Sequence, residues 1–121
     1  MPPRTARRGE DPERLDRLFQ ALADASRRSM IDRLSAGPAS VSELAQPLAM
    51  ALPSVVKHLA VLESGGIVLS EKRGRVRTYR IAPDALAAVE TWLAQRKARY
   101  QLQFDALERY LASQPDDEDE A

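Results

Sequence analysis

The chain has 121 residues, 44% of them hydrophobic and 30% charged, with 18 basic and 18 acidic side chains and therefore no formal net charge. That length suits one domain around one core. The absence of cysteine excludes disulfides, thiolate metal sites and thiol redox chemistry. No apolar run approaches the length of a helical membrane span, no apolar segment follows the N-terminal arginines so that no secretory signal is expected, and a cytoplasmic protein is predicted.

Residues 1–10 hold two prolines, one glycine and three arginines without an apolar pattern, and read as a disordered basic arm. A folded domain is expected over 11–112. Asp11-Pro12-Glu13 starts a helix, with Asp11 as its cap and Pro12 at the first helical position. Leu15, Leu18, Phe19 and Leu22 follow at helical spacing. Asp24-Ala25-Ser26 interrupts the pattern and caps a second helix that buries Met30, Ile31 and Leu34. Gly37-Pro38 ends it. Arg27, Arg28 and Arg33 on this helix fit a solvated face better than a phosphate contact.

Ser40-Val41-Ser42-Glu43 opens a third helix, with Ser42 as the expected cap and Leu44, Ala45 and Leu48 facing inward. Pro47 limits it to an end near Ala49, because that position already needs a backbone donor. Met50-Ala51-Leu52 forms a turn, and Pro53 starts a fourth helix over 53–64. Two helices joined by so short a turn make a helix-turn-helix. At about 100° per residue, Val55, Leu59 and Leu62 share the buried side, leaving Pro53, Ser54, Lys57 and Val61 on the other. Gly65-Gly66 then turns the chain into two β-type runs. Ile67, Leu69, Tyr79 and Ile81 are expected to face the core, with Gly74 at the tip and Arg75 and Arg77 projecting. Between 72 and 80 there are five basic residues and no acidic one. A helix beside a basic hairpin fits duplex DNA, the helix in the major groove and the hairpin along phosphates.

After Pro83-Asp84 one long helix is expected to about Leu111. Leu86, Val89, Leu93, Tyr100, Phe104, Leu107 and Leu111 step mostly by three and four. The stripe is longer than a small core can cover, which predicts a homodimer. The tail over 113–121 includes five consecutive carboxylates at 116–120 and reads as solvated and disordered. Without those five, residues 1–115 carry 18 basic against 13 acidic side chains, a net of +5.

The order helix–helix–helix–helix–hairpin–helix, with Ala21-Leu22-Ala23-Asp24-Ala25-Ser26-Arg27-Arg28, the run from Leu44 through Ser54 and Lys57-His58-Leu59 to Glu63, and the wing over 72–80, resembles the ArsR family of winged-helix bacterial repressors over roughly residues 12–111. The fold class is therefore mainly α with a small β-hairpin, a winged helix-turn-helix (α-α-α-α-β-β-α) that dimerises through its terminal helices. The resemblance implies a homodimer on an inverted-repeat operator in double-stranded DNA, blocking transcription. It points to Ser42, Leu52, Ser54, Lys57 and His58, with Arg73, Arg75 and Arg77 on the wing, as DNA-binding residues. His58 lies at the edge of the buried side and fits a structural hydrogen bond as well as a DNA contact. The expected dimer residues are Leu15, Leu18, Phe19, Leu86, Val89, Trp92, Leu93, Tyr100, Phe104 and Leu107.

Two departures stand out. Val56 and Leu52 replace residues that are polar in many members, leaving fewer hydrogen bonds for bases, for which an apolar contact to a thymine methyl is the alternative. Many members sense metals through cysteine, histidine and carboxylate clusters, yet here there is one histidine and no cysteine. No metal site and no cofactor are expected. Control by gene dosage, a partner protein or a small apolar effector all remain open. An enzyme is not expected, because no nucleophile stands with an acid–base partner. The rival reading is a winged-helix protein-interaction module that binds no specific DNA; the five cations of the wing favour DNA.

Overall fold

The computed structural model describes residues 12–115. The basic arm over 1–10, the Asp11 cap and the carboxylate run at 116–120 lie outside the described residues. The described chain runs α1 (Pro12–Leu22), α2 (Ala25–Ser35), β1 (Ala39–Ser40), α3 (Val41–Ala45), a 3-10 turn (Gln46–Leu48), α4 (Leu52–Ser64), β2 (Val68–Arg73), β3 (Val76–Ile81) and α5 (Ala87–Ser113). It forms two compact units, one through Val89 and one from Glu90 onward.

In the first unit, α1, α2 and α3 all pack on α4. The core is built from Leu18, Met30, Leu34, Leu44, Val55, Leu59, Leu62, Ile67 and Val68, with smaller residues around them. Val55, Leu59 and Leu62 are fully buried, as the 100° step requires. Asp24 caps α2 by accepting the Arg27 backbone N–H at 3.0 Å. The third helix is capped two residues earlier than expected. Ser40, not Ser42, caps α3: Ser40 Oγ accepts the Glu43 N–H, and the Glu43 carboxylate accepts the Ser40 N–H at 2.9 Å. Each satisfies a donor the helix would otherwise leave unpaired. Without an N–H at Pro47, α-helical bonding stops at Ala45 and one 3-10 turn follows. Ala49 then adopts a left-handed backbone, φ 50° and ψ 41°, and Leu52 becomes the first residue of α4 rather than the last of the turn.

The sheet has three antiparallel strands in the order β1-β3-β2. Strand β1 pairs Ala39 with Tyr79 and Ser40 with Thr78. It is too short for alternation to reveal in a sequence. The expected inward set of the hairpin changes in one place. Val68 is fully buried, whereas Leu69 is 39% exposed. The cause is local: the Ile67 N–H donates to Leu62 O, and Ile67 O accepts from Ala82 N. Ile67 thus belongs to the turn, and the alternation starts at Val68. Cross-strand pairs Val68–Ile81 and Ser70–Tyr79 then share the inward face. Gly74 takes φ +62° at the first position of the two-residue tip, the conformation a tight hairpin of this kind needs. Gly65 answers a different need: a Cβ there would stand 3.2 Å from Arg17 O in α1.

Helix α5 is 27 residues long. From Glu90 onward it displays Leu93, Tyr100, Leu102, Phe104, Leu107, Tyr110 and Leu111, all exposed. Trp92 is half-buried, with the Arg96 guanidinium 4.7 Å from its ring centre. Two expected dimer residues fall elsewhere. Leu18 is 0% exposed and Val89 is buried, both within the core of the first unit, so neither has surface to offer a second chain. Leu15 is partly buried against that core, while Phe19 and Leu86 are exposed. No single helix among the described residues is long and apolar enough to cross a membrane.

Candidate nucleic-acid interface

The segment 41–48 and α4 meet at 112°, within the range of a helix-turn-helix. Packing fixes what each side of α4 does. Val55, Leu59 and Leu62 bury the inner side, and the outer side exposes Leu52, Pro53, Ser54, Val56, Lys57 and Ala60. Val61, expected on the outer side, is partly buried against the core instead. Ser54 and Lys57 have no side-chain hydrogen bond or ion pair among the described residues, so both are available to a ligand.

His58 faces inward to a polar joint. The Arg27 guanidinium donates from Nη1 to His58 Nδ1 at 3.2 Å, from Nε to Ala21 O at 2.8 Å and from Nη2 to Gln20 O at 2.7 Å. The first of these requires the imidazole tautomer with Nδ1 unprotonated. Asp24 Oδ2 stands 3.9 Å from the same nitrogen. The Arg27 backbone N–H holds the Asp24 carboxyl below its ordinary value against the opposing effect of burial, and the charge of the Arg27 guanidinium adds to the lowering. Arg27 thus ties the C-terminal carbonyls of α1 to α4. Arg28 and Arg33 also donate to carbonyls, of Leu22 and Gly37. These three arginines brace helix ends, a use that spacing alone did not reveal.

The wing is tied to α4 by a relay. Glu63 Oε2 accepts from Ser70 Oγ at 2.9 Å, and Ser70 Oγ accepts from Arg77 Nη1 at 2.8 Å. This links the last turn of α4 to both long strands and orients Arg77. Neither Glu63 nor Ser70 was legible as a site residue, since their contact depends on the strand register. Arg77 stands opposite Lys72, so two cations share one face. Arg73 meets Glu71 at 3.4 Å with both side chains well exposed, a pairing of little energetic weight. Arg75 lies at the tip without a hydrogen bond or ion pair among the described residues. Arg75, Val76 and Arg77 line a shallow concavity of about 260 Å³ with Ser40, Val41 and Ser42. Ser42, displaced from its expected capping role, therefore opens beside the wing. Of the eight DNA-binding candidates, the structure gathers Ser42, Arg75 and Arg77 at one concavity and Leu52, Ser54 and Lys57 on the outer side of α4. His58 is engaged internally and Arg73 by Glu71. Among the described residues no three of histidine, cysteine, aspartate and glutamate come together as a metal-binding group.

Comparison with known proteins agrees with this geometry. A family model described as a helix-turn-helix domain matches residues 22–71. The chain is 43% identical over 76 residues to the HTH-type transcriptional regulator Rv2034 of Mycobacterium tuberculosis, a match covering 63% of this chain and 71% of that protein. A crystal structure of the ArsR family transcriptional regulator RHA00566 superposes with a TM-score of 0.71 at 51% identity, covering 74% of this chain and 93% of that one. The solution structure of the homodimeric winged helix-turn-helix DNA-binding domain of Mb0332 from Mycobacterium bovis superposes with a TM-score of 0.61 at 29% identity, covering 86% and 95%. By fold, by the helix-turn-helix match and by these identities, the chain belongs to the ArsR family of winged helix-turn-helix transcriptional regulators, a family of DNA-binding proteins rather than of enzymes.

Proposed function

We propose that the chain acts in the cytoplasm as a homodimeric repressor on an inverted-repeat operator, with α4 in the major groove and the wing on the phosphates. Residues 11–112 form the functional domain, and no metal or cofactor takes part. The observation that carries this reading is the division of α4 into a fully buried inner side and an outer side bearing Ser54 and Lys57, beside a hairpin whose Lys72, Arg73, Arg75, Arg77 and Arg80 are all exposed. A duplex offers a groove wide enough for a helix flanked by phosphates. The homodimeric state of the Mycobacterium bovis domain supports a paired arrangement, in which two copies of α4 address two half-sites. A dimer so seated would occlude a promoter, hence repression.

The test is the salt dependence of duplex binding. About eight phosphate contacts per dimer give a slope near −7 in log affinity against log salt. Binding without that slope would favour a protein-interaction module.

A further inference from the structure

The outer side of α4 is poor in groups that read bases by hydrogen bonds. Over Leu52–Ser64 there is no arginine, asparagine, glutamine or aspartate, and the only histidine is bonded to Arg27. In the first two turns only Ser54 and Lys57 are exposed and polar. Leu52 and Val56, one turn apart on the same row, are 49% and 46% exposed. Ala60 continues the row. In the free protein nothing is gained by displaying a leucine and a valine on the side that leaves the core.

That row is flanked by Lys57 and followed by the cations of the wing, so a partner that covers it must be a polyanion carrying small apolar groups. Duplex DNA presents one such group in its major groove, the 5-methyl of thymine. We infer that Leu52 and Val56 are specificity determinants that read thymine methyl groups, so that the base pairs beneath the first two turns of α4 are A·T pairs recognised by apolar contact. This rests on the placement of α4 in the major groove proposed above.

Uracil keeps every hydrogen-bonding edge of thymine and lacks only the methyl, which makes it the probe. The operator is first obtained as the genomic duplex that the purified full chain retains. Its half-site thymines are then replaced by deoxyuridine, and both duplexes are titrated with the wild-type chain and with the Leu52→Ala/Val56→Ala variant. Losing one buried methyl contact weakens binding about threefold to fourfold. One methyl contact in each half-site, two per dimer, already gives about a tenfold weaker uracil operator for the wild type, a second contact per half-site gives more, and the variant shows little difference. Both side chains are exposed, and an unchanged far-UV spectrum checks that the variant folds. Equal binding of thymine and uracil operators by the wild type overturns the inference and leaves the placement of α4 standing. So does an operator without half-site thymine. An undiminished uracil penalty in the variant also overturns it, since duplex shape would then be the cause. A chain that retains no duplex overturns the placement of α4 as well.

Discussion

At the scale of single residues, the site is organised by polar groups that hold helix ends rather than touch a ligand. Arg27 spends its guanidinium on two carbonyls of the α1 end and on His58, so the orientation of α4 depends on a side chain of α2. Glu43 plays the corresponding part for α3. Its carboxyl is held below the ordinary value of 4.5, first by the Ser40 backbone N–H and second by the Ser40 hydroxyl. A carboxyl depressed in the folded state binds protons more readily when unfolded. Its stabilisation is therefore complete above the unfolded value and is lost as the pH falls through the lower folded one. Glu43→Gln keeps the shape and removes the charge. Urea denaturation should show the variant less stable than the wild type at pH 6, with the gap closing towards pH 3. A gap independent of pH would mean that the charge of Glu43 contributes nothing to the cap.

At the scale of elements, helices were more legible than strands. The stepping of Val55, Leu59 and Leu62 located the buried side of α4 because a helix averages its signal over several turns. Period-two alternation carries no such redundancy, and a one-residue shift inverts every side chain. Assigning Ile67 to the strand rather than the turn therefore put Leu69 inside in place of Val68. The three-residue spacing from Ser40 to Glu43 was in the sequence, but Ser42 competed for the same role. Strand β1 has no signal of its own in the sequence, because its two residues are defined by pairing with Tyr79 and Thr78, far along the chain. For the same reason the Glu63–Ser70–Arg77 relay needed the fold to be seen, whereas the cationic wing did not. In the wing Arg77 is oriented by Ser70, and Arg75 stands at the tip without a partner among the described residues. Replacing Arg75 and Arg77 together by alanine should weaken binding to all duplexes alike and flatten the salt slope by about two per subunit, as lost phosphate contacts do. A loss confined to one operator sequence would instead assign these arginines to reading a groove.

At the scale of the whole molecule, the question is what covers α5. A lone helix of this length gains little stability in water without an apolar face to bury, and from Leu93 to Leu111 this one exposes large side chains, Phe104 at 62% among them. Soluble monomers seldom keep so much contiguous apolar surface open. Leu93, Tyr100, Phe104, Leu107 and Leu111 are separated by seven, four, three and four residues, the spacing of a helix–helix seam. A second copy of the same helix is the proposed cover, and it is also what two operator half-sites demand. The core of the first unit contains neither Leu93 nor Leu107, so both can be changed without emptying it. Leu93→Asp with Leu107→Asp places unpaired carboxylates in the seam, each costing on the order of several kcal/mol when buried. Light scattering should then report half the wild-type mass, with the helical spectrum of the first unit retained. Operator affinity should fall with it, because a single subunit reaches only one half-site. A variant that keeps the dimer mass would move the interface off α5, and one that keeps operator affinity as a monomer would remove the need for paired half-sites.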